Sequence, residues 1–148
     1  MTPAYDEVYL DSSQDILGHA FDWVANTCNE DLVVFGARFA DSKTGNLFAA
    51  GNPKFVAGCN GAELANFVME DLGLPEYGEE HEFFADRSPE YWAGWLLAYY
   101  QCTRNLSFQE IVQKSPVQRL LALYPTGHEQ DIRSVCNTLD SWMVAKTK

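Results

Sequence analysis

The chain has 148 residues, of which 47% are hydrophobic and 14% are aromatic, enough to bury the core of one compact domain. It carries 21 Asp and Glu residues against 10 Lys and Arg residues, a net charge of −11 with neutral histidines. The hydrophobic content excludes a mostly disordered chain, and the negative charge argues against direct binding of nucleic-acid phosphates or anionic membranes.

The first ten residues, 1–10, are predicted to form an N-terminal arm, and residues 11–148 a single helical domain. Apolar residues of the arm follow no sustained period, so this segment is expected to be extended or to form a single turn. After the arm, apolar residues recur at helical spacing up to about Cys28, and the pair Ser12 and Asp15 is placed to cap this first helix.

The middle of the chain predicts two further main helices separated by an irregular stretch. Asn29 is predicted to cap a helix that carries apolar residues up to Phe39, and Asn60 is predicted to cap another that ends near Gly73. Between them, residues 42–60 contain so many turn-forming residues that room remains for one short helix.

A central helix is predicted in the C-terminal part of the chain. Ser88 followed by Pro89 is a strong start signal, because serine caps a helix and proline suits its first position. Trp92, Trp95 and Tyr99 then recur at helical spacing, and further apolar residues on the other faces indicate a helix that is surrounded on most sides.

Three more helices are predicted: Ser107 and Thr126 are placed to cap two of them, and the pair Ser115-Pro116 opens the one between. No run outside the arm alternates apolar and polar residues convincingly over five or more positions, so no strand is expected there. The predicted fold class is therefore all-α, a single compact domain of six to eight helices joined by short connections.

The four cysteines, Cys28, Cys59, Cys102 and Cys136, are scattered and lack the spacing of a zinc site or a redox motif. They are expected to be reduced thiols. The acidic N-terminus has no signal-peptide pattern, and the longest apolar stretch, 92–100, is about half of the ~20 residues that a membrane span requires. A cytoplasmic protein is therefore expected.

The acidic residues are concentrated in the first part of the chain. Residues 1–90 have a charge balance of −13 and residues 91–148 one of +2. A continuous negative surface would speed association with a basic partner, although acidic composition also serves solubility alone. Aromatic residues among the acids favour an interface. The predicted contact residues are Tyr5, Asp6, Glu7, Tyr9, Glu79, Glu80 and Glu82.

Two histidines lie close to carboxylates in the sequence. His19 follows Asp15 by four residues, which places both on one face of a helix, and His81 adjoins Glu80. Either pair could supply acid–base chemistry, but no nucleotide-binding, hydrolase or metalloprotease motif accompanies them. The run 79–82 lacks the glycine turn and ligand spacing of a calcium loop, so no metal and no cofactor are predicted.

Six segments resemble a known family when they are taken together. They are YDEVYL at 5–10, LGHAFDW at 17–23, GNPKFVAG at 51–58, RSPEYWAGWLLAYYQ at 87–101, SFQEI at 107–111 and LYPTGHEQDI at 123–132. As a set they are similar to a family of small, uncharacterised acidic bacterial proteins associated with toxin–antitoxin-like operons. The resemblance covers nearly the whole chain, brings no assigned catalytic residues, and implies an accessory or antitoxin-type role.

The leading hypothesis is a non-enzymatic interaction module that acts as an antitoxin or inhibitor of a basic partner protein, either a toxin or a nucleic-acid-binding protein. In one variant of this hypothesis the carboxylates mimic nucleic-acid phosphates. Two alternatives stay open: a small enzyme with a His–carboxylate site, and a structural subunit of a homo-oligomer. An exposed stripe of Trp92, Trp95 and Tyr99 would favour the homo-oligomer.

Overall fold

The computed structural model describes residues 2–78 and 88–144, and within these ranges the chain forms nine α-helices and no strand. The helices are α1 (Leu10–Asp22), α2 (Leu32–Asp41), α3 (Lys43–Ala49), α4 (Pro53–Val56), α5 (Gly61–Asp71), α6 (Pro89–Arg104), α7 (Phe108–Lys114), α8 (Val117–Gly127) and α9 (Ile132–Val144). The all-α prediction is confirmed. None of the described helices has both the length and the apolar character needed to cross a membrane.

The helix count exceeds the expected six to eight because the irregular stretch 42–60 folds into two short helices. The Ser42 hydroxyl accepts a hydrogen bond of 2.8 Å from the backbone N–H of Gly45 and so caps α3. The Asn52 side chain accepts one of 3.0 Å from the Lys54 N–H and caps α4, whose first residue is a proline. Two caps in a short stretch therefore start two helices.

The centre of the fold is the pair α1 and α6, which pack closely along much of their length. Small residues permit this approach: a Cβ atom at Gly94 would lie only 2.4 Å from the carbonyl oxygen of Leu17. A Cβ atom at Gly18 would lie 2.7 Å from the ring of Tyr91. The two backbones therefore come almost into contact, and the remaining helices assemble around this pair.

An aromatic cluster joins α2, α3 and α7. The ring of Phe39 contacts the rings of Phe48 and Phe108 edge to face, with centroid distances of 5.7 and 4.7 Å. Phe35 makes a similar contact of 5.8 Å with Phe21 of α1. Each of these side chains is fully buried or nearly so, and each contributes roughly 1.5–3 kcal/mol by leaving water.

Asn29 is not the cap of α2. Asp31 takes this place, and its carboxylate accepts hydrogen bonds from the backbone N–H groups of Val33 and Val34 at 2.9 and 3.4 Å. Asn29 instead has a φ of 54° and follows a π-helical turn over Trp23–Thr27 that extends α1. Asparagine tolerates this left-handed conformation better than most residues, which explains its position at the bend.

Thr126 is not the cap of the last helix. Helix α8 continues through Pro125 and ends two residues later, so the missing proline N–H removes only one hydrogen bond near the helix end. Helix α9 begins after Asp131, whose carboxylate accepts a hydrogen bond of 2.8 Å from the backbone N–H of Arg133. The helix start thus lies later in the chain than predicted.

The N-terminal arm lies against α1 and α6. The backbone N–H of Ala4 donates to the carbonyl oxygen of Cys102 at 2.8 Å, and the Tyr5 hydroxyl donates to the Ser13 hydroxyl oxygen at 2.7 Å. A 3₁₀ turn over Glu7–Tyr9 then leads directly into α1. The arm therefore forms a single turn and fastens the start of the chain to the central helix pair.

Candidate functional site

The outer side of α1 carries a line of carboxylates. Asp11 and Asp15 lie one helical turn apart and are exposed, and Glu7 lies one turn earlier, in the 3₁₀ turn. The opposite side of α1 is apolar and buried, so these positions face water. Glu7, Asp11 and Asp15 are called the acidic face below.

The acidic face borders a groove between α1 and α6. This groove, called the acidic groove, has a volume of about 460 Å³, and its lining consists of Asp11, Ser12, Gln14, Asp15, Tyr91 and Trp95. The Gln14 side-chain amide donates to the carbonyl oxygen of Trp95 at 3.4 Å and so connects its two walls. The α1 wall presents carboxylates, while the α6 wall presents aromatic rings.

Asp15, His19 and Tyr91 form a cluster at one end of this groove. The Tyr91 hydroxyl donates to Asp15 Oδ1 at 2.6 Å, and His19 Nε2 lies 3.3 Å from the same oxygen. The His19 and Tyr91 rings meet edge to face with centroids 5.0 Å apart. The His19–Asp15 pair that the sequence placed on one helix face is therefore in contact, and it fixes the position of the carboxylate.

Among the described residues, the carboxylates of the acidic face form no ion pair with Lys or Arg. Across the described ranges, no Lys or Arg nitrogen lies within 4.0 Å of Glu7, Asp11 or Asp15. Charge pairs do occur in the C-terminal part of the chain, where Arg104 contacts Asp140 at 2.9 Å. Hydrogen bonds from Arg104 lower the pKa of Asp140, and the hydrogen bond that the Tyr100 hydroxyl donates lowers it further. Within the described ranges, His19 is thus the one basic side chain paired with the acidic face, and no Lys or Arg there offsets its negative field.

A second cavity lies on the other side of Trp95. It has a volume of about 260 Å³ and is called the aromatic pocket; its walls include Trp92, Trp95, Tyr124, His128, Ile132 and Val135. The ring of Tyr124 meets Trp92 edge to face at 5.7 Å and stacks on His128 at 4.2 Å. The pocket therefore lies between the first half of α6 and the connection from α8 to α9.

The two cavities adjoin each other. Tyr91 and Trp95 line both, so these two side chains form the boundary between the aromatic pocket and the acidic groove. Sequence reasoning identified Trp92 and Trp95 as core residues or as an oligomer surface, whereas both are only partly buried. Asp11 and Asp15 are not among the predicted contact residues, although their i, i+4 spacing could have placed them together on one helix face. Nothing in the sequence indicated that Trp95 lies beside them.

The predicted contact residues of the arm occupy different environments. Asp6 and Glu7 are exposed, and the Asp6 carboxylate accepts a hydrogen bond of 2.9 Å from the Val8 N–H. Tyr5 and Tyr9 are partly buried against the core, and burial raises the pKa of Tyr5. The remaining predicted contacts, Glu79, Glu80 and Glu82, lie outside the described residues, as does His81.

The described part of the chain contains no group of three or more His, Cys, Asp or Glu side chains that could together hold a metal ion. The cluster of Asp15 and His19 supplies one carboxylate and one imidazole, too few to complete a zinc or calcium site. The acidic groove can instead bind a positively charged group through its carboxylates and its aromatic rings.

Comparison of the chain with protein-family models, with curated proteins and with solved structures finds no match in any of the three. The resemblance to proteins of toxin–antitoxin-like operons therefore stays a prediction.

Proposed function

We propose that the protein is a non-enzymatic interaction module that binds a basic partner protein through the acidic face and the acidic groove. In this proposal it acts as an antitoxin or inhibitor, and the partner is a toxin or a nucleic-acid-binding protein. The proposal also places the protein in the cytoplasm, where a reducing environment suits its four cysteines, all of which are described and none of which forms a disulfide.

One observation carries the proposal. Asp11 and Asp15 line the same groove as Trp95, and no described Lys or Arg approaches either carboxylate. A charged rim around an aromatic side chain is the usual composition of a protein interface.

The acid–base alternative has less support. A general acid or base works best where it is sheltered from bulk water and within hydrogen-bond reach of its substrate. The Asp15 side chain is 54% exposed, so water screens the interaction that it makes with His19. Such a pair is better suited to holding a carboxylate in place at a binding surface than to proton transfer.

Binding of the product of the adjacent gene tests the proposal. Isothermal titration of the full chain should show an affinity that falls at least about tenfold between 50 and 500 mM NaCl, because salt screens exposed charges. The double variant Asp11→Asn/Asp15→Asn should weaken the complex by at least about tenfold at low salt. A matched double variant at exposed acids elsewhere, Glu70→Gln/Glu76→Gln, should change the affinity less than about twofold.

Absence of a complex at low salt would contradict the proposal, and so would a complex that neither salt nor the Asp11/Asp15 variant weakens. Competition separates the two forms of inhibition. If the partner binds DNA or RNA and that nucleic acid displaces the protein, the acidic face occupies the phosphate site of the partner. If both bind together, the acidic face uses a different basic surface.

A further inference from the structure

The aromatic pocket is a separate cavity from the acidic groove, and the proposed function does not by itself assign it a ligand. We infer that this pocket binds a guanidinium group, supplied by an arginine side chain of the basic partner. The inference rests on the proposed function for the source of the arginine, but the chemistry of the pocket can be tested without the partner.

The size of the pocket limits what it can hold. Its volume of about 260 Å³ lies below the roughly 300–1,000 Å³ that is typical of sites for drug-sized ligands and cofactors. A single long side chain fits this scale, whereas a nucleotide or a flavin does not. The Cβ position of Gly127 lies 2.9 Å from the ring of Trp92, so a larger residue there would intrude on the wall of the pocket.

The walls of the pocket suit a planar cation. Trp92, Trp95 and Tyr124 line the pocket, and one face of the Tyr124 ring is covered by the stacked ring of His128. A guanidinium group stacks on open ring faces with both dispersion and cation–π attraction. The same chain contains this interaction elsewhere, since the guanidinium carbon of Arg119 lies 3.6 Å from the ring centre of Trp142. Arginine is favoured over lysine because its planar group stacks on a ring face and is more weakly hydrated.

The charges around the pocket favour the same ligand. Its described lining contains no Lys or Arg, and the carboxylates of Asp11 and Asp15 lie in the groove that shares Trp95 with it. Glu129, an exposed residue, lies between two lining residues, His128 and Gln130. Apart from His128, no basic side chain of the described residues lines the pocket to balance an anionic ligand, whereas an arginine side chain would complement the carboxylates of the adjoining groove.

The experiment uses the full chain and a small probe, Nα-acetyl-arginine amide, with the neutral isostere Nα-acetyl-citrulline amide as its control. The indole N–H signals of the four tryptophans are followed by NMR during titration. The signals of Trp92 and Trp95 should shift to saturation with a millimolar dissociation constant. Those of Trp23, which is buried, and Trp142, which already carries Arg119, should stay in place. Citrulline should bind at least about fivefold more weakly, because it lacks the charge.

A variant adds a second comparison. Tyr124→Leu removes one aromatic wall and should weaken arginine binding at least about threefold, while Phe67→Leu, at a partly buried aromatic residue outside the pocket, should leave it unchanged. The wild-type comparison of arginine with citrulline decides the question even where Tyr124→Leu fails to fold. Equal responses to the two probes, or no saturable shift of Trp92 and Trp95, would overturn the inference.

The two hypotheses fail separately. A pocket that does not bind arginine leaves the salt-dependent binding through Asp11 and Asp15 standing. A partner complex that is insensitive to Asp11→Asn/Asp15→Asn contradicts the proposed function, but it does not alter the response of Trp92 and Trp95 to the arginine probe.

Discussion

The hydroxyl of Tyr91 donates a hydrogen bond of 2.6 Å to Oδ1 of Asp15, and it thereby connects the first turn of α6 to the acidic face of α1. Tyr91 is 4% exposed, whereas the Asp15 side chain is 54% exposed, so this bond crosses the boundary between the core and the solvent. A buried donor thus holds a carboxylate that remains accessible to a partner.

Removal of the Tyr91 hydroxyl should destabilise the protein moderately. We expect Tyr91→Phe to lower the free energy of unfolding by about 1 kcal/mol, because the half-exposed carboxylate can recover a hydrogen bond from water. Urea unfolding followed by circular dichroism measures this change. A double-mutant cycle with Asp15→Ala, which removes the acceptor, isolates the contact, and a coupling energy near zero would show that the hydroxyl is not bound to this carboxylate.

The close approach of α1 and α6 should make Gly94 intolerant of a larger residue. Gly94→Ala improves helix propensity by about 1 kcal/mol, yet its Cβ would overlap the carbonyl of Leu17, so we expect a net loss of about 1–3 kcal/mol. Thermal unfolding measures the difference. The exposed Ala122→Gly in α8 is the control for propensity alone, and it should cost about 1 kcal/mol. A rise in melting temperature for Gly94→Ala would contradict the observed helix spacing.

The contact between α6 and α9 should depend on pH. Hydrogen bonds from Arg104 and Tyr100 stabilise the ionised Asp140 and hold its pKa below its usual value. The wild type should therefore be more stable than Asp140→Asn by about 1 kcal/mol at neutral pH, a value kept small because the pair is partly exposed.

This advantage should be fully present above the unfolded pKa of the carboxyl and should be lost as the pH falls through its lowered folded pKa. Urea unfolding of both proteins across the acidic range measures it. The difference in free energy of unfolding between the wild type and Asp140→Asn could instead stay constant down to the lowest pH at which both proteins fold. That result would show that ionisation of Asp140 does not contribute to stability.

Burial should protect Cys102 and Cys136 from alkylation. Burial raises the pKa of Cys136 to about 12 and also raises the pKa of Cys102, so little thiolate is present in either at pH 8. We expect both to react with iodoacetamide at least about 100-fold more slowly in the folded protein than in urea. The partly exposed Cys28 should be less protected. Mass spectrometry of the digested protein locates the modified residues, and rapid native modification of Cys136 would contradict its burial.

Local signals in the sequence were sufficient for much of the helical framework. Ser107 with Glu110 and Asn60 with Glu63 form the complete capping boxes that their spacing predicts, and Gly73 has the positive φ expected after a helix end. These features succeed because each depends on residues within one turn of the helix. The start at Ser88 is correct for the same reason.

The predictions at Asn29 and Thr126 fail where several capable residues stand close together. Asn29 and Asp31 can both accept backbone hydrogen bonds, and the π-helical turn after α1 leaves only Asp31 in the geometry of a cap. Pro125 likewise remains inside α8, so Thr126 cannot start a new helix. Competition between neighbouring local signals is decided by the packing of the helices that they join.

The sequence by itself determined that the chain is helical and that its acidic residues are concentrated in its first 90 residues, because composition and helical period are properties of neighbouring residues. Only the tertiary structure decided that Asp15 meets Tyr91, and that Trp92 meets Tyr124, since these pairs come from distant parts of the chain. Their proximity follows from the backbone contact of α1 with α6 and from the placement of α8, neither of which a periodic pattern can specify.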